Sequence, residues 1–106
     1  MMTLLAVLIA TTPQLQVKEE SPGLAAKAKV TSTAAMATAQ LKLPKAKIVK
    51  AEIEEEKGTL IYSFDMKTPG ASGIDEVTVD AMTGKVLSVE HESAADEAKE
   101  AAKDSK

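Results

Sequence analysis

The sequence predicts an α+β fold: one Ala-rich helix packed on a three- to four-stranded antiparallel meander sheet. Two observations lead there. Between Lys47 and Glu90, short runs alternate apolar with polar side chains and are separated by Gly-containing turns, the period-two signature of half-buried strands. Ahead of them, Ala35, Ala39 and Leu43 recur at four-residue spacing, the signature of one helix face. Sequential hairpins give a sheet with one apolar face that needs a cover, and this Ala-rich stretch is the cover in the chain.

The 106 residues make one domain with tails. Residues 1–16 read as a signal-peptide remnant. Met1 to Ala10 is an apolar run broken by Thr11-Thr12-Pro13, too short for a stable membrane span, which takes about twenty residues, but of the length of a signal h-region. No Lys or Arg precedes the run and no clean small-x-small cleavage site follows it directly. The signal is therefore atypical, or its true start codon lies upstream; the alternative is an N-terminal core strand. Residues 17–29 read as a linker, punctuated by Ser21, Pro22 and Gly23 and solvated by Lys18, Glu19 and Glu20, with no fixed fold expected before about Ala28.

The folded domain is expected over residues 30–91. Its helix runs from Thr31 to about Lys42. The Thr31 hydroxyl is placed to accept an orphan N–H of the first turn, and Val30 and Ala35 stand at staple positions. The alanines allow a close approach to a sheet, with Met36 and Leu43 filling the ends, and Pro44 ends the helix by forcing its predecessor extended. The first strand, Lys47 to Glu55, alternates with Val49, Ala51 and Ile53 inward and Lys50, Glu52 and Glu54 outward. After a turn at Glu56-Lys57-Gly58, Thr59 to Lys67 turns Leu60, Tyr62, Phe64 and Met66 inward and Ile61, Ser63, Asp65 and Lys67 outward. The loop Thr68 to Gly73 leads to Ile74 to Val79, with Val77 and Val79 inward and Ile74 in either loop or strand. In the last strand Leu87 and Val89 are expected inward. Residues 92–106 form a charged Ala-rich tail, a fraying helix or disorder, since about thirteen residues without a large apolar side chain are marginal alone.

The turn between the last two strands is the most informative stretch. In Val79-Asp80-Ala81-Met82-Thr83-Gly84-Lys85-Val86, Asp80 is suited to accept backbone N–H groups two or three residues on, and Gly84 to take the positive φ that closes a bulged turn. The run VDAMTGKVLSV resembles the end of a PepSY domain: an acidic residue, a small residue, two variable positions, Gly, a charged or polar residue, then Val. The resemblance extends back through roughly Val30, where the capped helix, the Pro break and the strands stand in the family's order. It implies a PepSY-like helix-on-sheet fold, export to the periplasm or beyond, and a role related to the propeptides of secreted metalloproteases.

Composition narrows the chemistry. There is one Tyr, one Phe and no Trp, so the core must come from Val, Ile, Leu, Met and Ala, and about sixty such residues make a marginal domain. No cysteine is present, which removes disulfides and Cys-type zinc sites. The net charge of -3, with no basic or aromatic stripe, argues against nucleic acid. His91, the lone histidine, stands between Glu90 and Glu92 without a second His or Cys to complete a metal or general-base site. Glu52, Glu54 and Glu56 form a strand row that reads as a solvated face discouraging edge pairing rather than as the bent loop a calcium site requires. Ser63 and Ser88 have no base beside them in sequence, and the Gly70 to Gly73 loop lacks the strand, helix and lysine of a phosphate cradle. Neither a catalytic nor a metal nor a cofactor-binding residue is expected. The sequence therefore points to a binding module whose partner is a peptidase or another envelope protein, reached through the edge of Lys47 to Glu55, the edge of Val86 to Glu90, or the Thr68 to Gly73 loop. The rival reading is a structural or sensory envelope module with a small apolar ligand under the helix.

Overall fold

The computed structural model describes residues 15–95; the expected signal segment up to Gln14 and the tail beyond Ala95 lie outside them. Among the described residues five strands form one sheet in chain order: β1 (Val17–Glu19), β2 (Lys47–Glu56), β3 (Thr59–Lys67), β4 (Ile74–Asp80) and β5 (Val86–Glu92), with helices α1 (Leu24–Lys27) and α2 (Ser32–Lys42) between β1 and β2. The chain is α+β, with β2 to β5 the antiparallel meander.

The fifth strand is the main departure from expectation. Residues 17–29 hold β1 and the single turn α1 instead of an unstructured linker. Val17, Lys18 and Glu19 pair in parallel with Ala51, Glu52 and Ile53, and the Glu20 N–H continues the ladder to the Ile53 carbonyl at 3.0 Å. A parallel neighbour needs a crossover of a dozen residues or more, which α1 and α2 supply. Val17 packs against the core and Leu24 is buried; the Glu19 carboxylate accepts the Ala25 N–H at 3.1 Å. A single Val among charges carries no alternation, so the strand is fixed by its partner rather than by its own pattern.

Helix α2 begins as its sequence requires. Thr31 Oγ1 accepts the Ala34 N–H at 3.1 Å, and the Gln40 amide donates to the carbonyls of Leu43 and Ala46 at 3.0 and 2.7 Å, holding the chain as it leaves the helix. Ala35 and Ala39 are fully buried, which brings the helix backbone down onto β3 and β4. Between helix and sheet lie Ile53, Phe64, Met66, Val77 and Val79, each at 0 % exposure. Side chains of this size contribute about 1.5–3 kcal/mol each on burial. Tyr62 stacks on Phe64 with centroids 6.0 Å apart, and its hydroxyl donates to the Val30 carbonyl at 2.6 Å. That bond ties the helix entry to the centre of the sheet.

Two bulges change which residues face the helix. In β2 the register passes from Ile48 opposite Met66 to Lys50 opposite Asp65, so Ile48 packs on the core while Val49, expected inward, is 44 % exposed. In β5 it passes from Ser88 opposite Thr78 to Val86 opposite Val79. Val86 packs on the core, and Leu87, expected inward, is half exposed on the other side of the sheet. A one-residue bulge inverts the alternation on one side of it. Ile74 belongs to β4.

The β4–β5 turn follows its sequence. Asp80 Oδ1 accepts the Met82 and Thr83 N–H groups at 2.8 and 3.1 Å, and the Gly84 N–H reaches the Asp80 carbonyl at 2.8 Å. Gly84 has φ 81, open to Gly at no steric cost. Ala81, fully buried, donates to Leu60 and accepts from Lys29 and Val30. The turn therefore locks β3 to the helix entry.

Candidate functional site

Helix α2 covers one face of the sheet. Among the described residues two surfaces stand outside this packing: the outer edge of β5 and the open face.

The sheet has two edges, and they differ. On one side, β1 covers the Ala51–Ile53 part of β2, so the first of the two edges expected to receive a partner is closed there. On the other, β5 is the terminal strand among the described residues. Over Val86–Glu92 the backbone groups that do not point to β4 point outward, the arrangement that accepts an added strand. Leu87 and Val89 are 49 % and 39 % exposed along this edge, and Met82 in the adjoining turn 40 %. His91 stands on the same strand, its Nδ1 2.8 Å from Asp75 Oδ1 on β4. The pair clamps the end of the β4–β5 ladder, and among the described residues no group of His, Cys, Asp and Glu is gathered for a metal ion.

The Thr68 to Gly73 loop joins β3 and β4 as a turn closed by the Ala71 N–H to the Thr68 carbonyl at 3.1 Å. Gly73 is buried with φ 81, its α-carbon so close to the Glu92 carbonyl that a Cβ would collide with it. This glycine serves the packing of β4 on β5 rather than any phosphate.

The open face carries the charges. Register places Glu52, Ser63, Thr78 and Ser88 in one row across β2 to β5, and Lys50, Asp65, Glu76 and Glu90 in the next. Two shallow grooves run over it. One of about 300 Å³ is floored by Ile61, Thr78 and Leu87; one of about 160 Å³ lies among Glu54, Ser63, Asp65, Glu76 and Glu92. Burial, then repulsion from Asp65, Glu92, Glu54 and Glu90, pushes the Glu76 carboxyl up to about 7. Burial, then Glu52, Glu20 and Glu56, also raises Glu54, against the opposing pull of Lys50. Lys50 Nζ lies 3.0 Å from Glu52 Oε1.

The expected acidic row on β2 is thus one edge of a wider acidic field. Glu76 and its neighbours on β5 were not legible as part of it, since only cross-strand register brings them together. Ser63, expected as a plain outward strand residue, is buried at the centre of the face, and Ser88 lines its rim.

The family model described as "Peptidase propeptide and YPEB domain" matches residues 29–90, more than half of the chain. The chain belongs to the PepSY family. Comparison with curated proteins and with solved structures gave no match. A PepSY domain is a module of the propeptide and inhibitor type, and such domains occur in exported proteins. Among the described residues no helix is long and apolar enough to cross a membrane.

Proposed function

We propose that this PepSY chain is an exported, non-catalytic binding protein that restrains a peptidase in trans, with the outer edge of β5 as its contact strand. The observation that carries this reading is the outer edge of β5, which has no further strand beside it among the described residues and on which Leu87 and Val89 are exposed. An extended segment of the partner adds to the sheet there. Its backbone supplies hydrogen bonds, and its side chains meet Val89 on the helix side of the sheet and Leu87 on the open side. The opposite edge is shortened by β1, which directs pairing to one side. His91 and Asp75 hold the far end of β5 against β4, so the stretch beyond the bulge at Leu87 is held in the ladder. Ser63, Ser88, His91 and the carboxylates take binding and packing roles rather than catalytic ones.

The ligand-binding alternative requires room beneath α2. The side chains there, Ala35, Ala39, Phe64, Met66 and Val77, are fully buried against one another, which favours the partner-protein reading.

The test is affinity capture with the full chain as bait, against envelope and culture-supernatant proteins of the source organism, read by mass spectrometry. A peptidase enriched on the bait and slowed by it supports the proposal. A bait shown to be folded that enriches no peptidase, and leaves peptidase rates in the same fractions unchanged, overturns it.

A further inference from the structure

We infer that the open face of the sheet is a second binding surface, which takes an extended segment of a protein partner bearing lysine or arginine. The inference does not rest on pairing at the β5 edge, and two independent observations carry it.

The first is charge. Asp65, Glu76 and Glu90 stand directly opposite one another on three successive strands, with Glu54 and Glu92 beside them. Like charges in direct opposition destabilise a sheet, and the cation in the row, Lys50, stands at its end opposite Asp65 and 3.0 Å from Glu52. The carboxylates extend along a line rather than around a point, and among the described residues none are gathered for a metal ion. A line of negative charge is complementary to side-chain cations spaced along a chain.

The second observation is a pair of hydroxyls. Ser63 and Thr78 are opposite each other in the adjacent row and only 9 % and 8 % exposed. Neither side chain makes a hydrogen bond within the described residues, yet each lines a groove. No fully buried side-chain oxygen among the described residues lacks a partner, so these two hydroxyls find theirs in the groove and not in the protein. These two open onto the groove floor, where a ligand's polar groups reach them.

An extended peptide lowers every second side chain onto the surface beneath it, about 6.8 Å apart. Cationic side chains meet the carboxylate row, their aliphatic stems lie over Ile61 and Leu87, and neighbouring polar groups satisfy Ser63 and Thr78. The groups that face Glu76 are Glu54 and Lys50 from β2, Asp65 from β3, and Glu90 and Glu92 from β5. Burial and these carboxylates raise the Glu76 carboxyl to about 7 in the unbound chain. A bound cation favours its ionised form, so binding releases a proton near neutrality and weakens as the pH falls.

The experiment is a residue-resolved NMR titration of the full chain at low salt. The probe is a terminally blocked octapeptide alternating lysine and threonine, with spermine as the second arm. The expected result is amide shifts centred on Ser63, Glu76 and Thr78. Affinity is expected to be at least about threefold weaker at about pH 5.5 than at about pH 8. A loss of about threefold or more is expected in Glu76→Gln, the worth of one partly exposed ion pair, and a loss in Thr78→Val, which keeps side-chain shape without the hydroxyl. Absence of shifts, shifts centred on α2, or affinity unchanged by pH and by both variants overturns the inference. Spermine bound as tightly as the octapeptide also overturns it, by showing only diffuse attraction of polycations.

Discussion

Replacing Glu76 with Gln should make this protein more stable at neutral pH. Glu76 is held between Asp65 and Glu90 on the open face, and burial and those neighbours raise its carboxyl from an ordinary 4.5 to about 7. At about 1.36 kcal/mol per unit of pKa this corresponds to roughly 3 kcal/mol between the two protonation states. The side chain is partly exposed, and solvent screening reduces that figure to about 1–2 kcal/mol. The sign follows from proton binding. Between 4.5 and about 7 the folded state holds a proton that the unfolded state has released, so stability is greatest at the acid side of this window and falls as pH rises through it. Urea denaturation at about pH 5 and about pH 8 is the assay. At about pH 8 the variant should exceed the wild type by about 1–2 kcal/mol; at about pH 5 the difference should shrink to roughly half of that, and it should vanish well below 4.5, where folded and unfolded states both hold the proton. The difference between the proteins isolates Glu76 from Glu54, which is also raised. A variant less stable than wild type at about pH 8, or a difference that does not change with pH, refutes the reasoning.

Two further predictions concern the frame. Tyr62→Phe removes the hydroxyl that donates to the Val30 carbonyl at 2.6 Å and should cost about 1–2 kcal/mol in urea denaturation, with hydrogen exchange faster at the entry to α2. Gly73→Ala puts a Cβ into the Glu92 carbonyl at a positive φ; a loss of about 1–3 kcal/mol, with disturbed amide shifts along β4 and β5, is expected by denaturation and NMR.

Several parts of the fold were legible because they rest on local chemistry. Thr31, Ala35, Ala39 and Pro44 define α2 by cap, spacing and stop, and Asp80 with Gly84 defines the last turn. The alternation of Leu60, Tyr62, Phe64 and Met66 marks β3, which is regular throughout. What was not legible depends on neighbours. β1 is three residues long and has no pattern of its own, and the β2 edge it covers could not be known to be closed. The bulges at Val49 and Leu87 leave no mark in alternation; they exist because Ile48 and Val86 are thereby brought to the core. The open face needed register most of all. Asp65 reads as an outward strand residue from its own strand, but its opposition to Glu76 and Glu90 follows from pairing between strands. The hydroxyls of Ser63 and Thr78 become notable only once their burial is known. The resemblance carried by VDAMTGKVLSV was sound because that turn is built from side-chain and backbone requirements within eight residues of Val79.

The most direct test of the account is residue-resolved hydrogen exchange across β5, with the chain free and then mixed with excess secreted metallopeptidase of the source organism. In the free protein, alternate amides of Val86–Glu92, those pointing away from β4, should exchange fast. On mixing, these same amides should become protected while α2 is unchanged. Protection confined to α2 or to the Thr68 to Gly73 loop, with the outward amides of β5 still exchanging freely, would contradict the claim that this edge is where the protein takes hold of its partner.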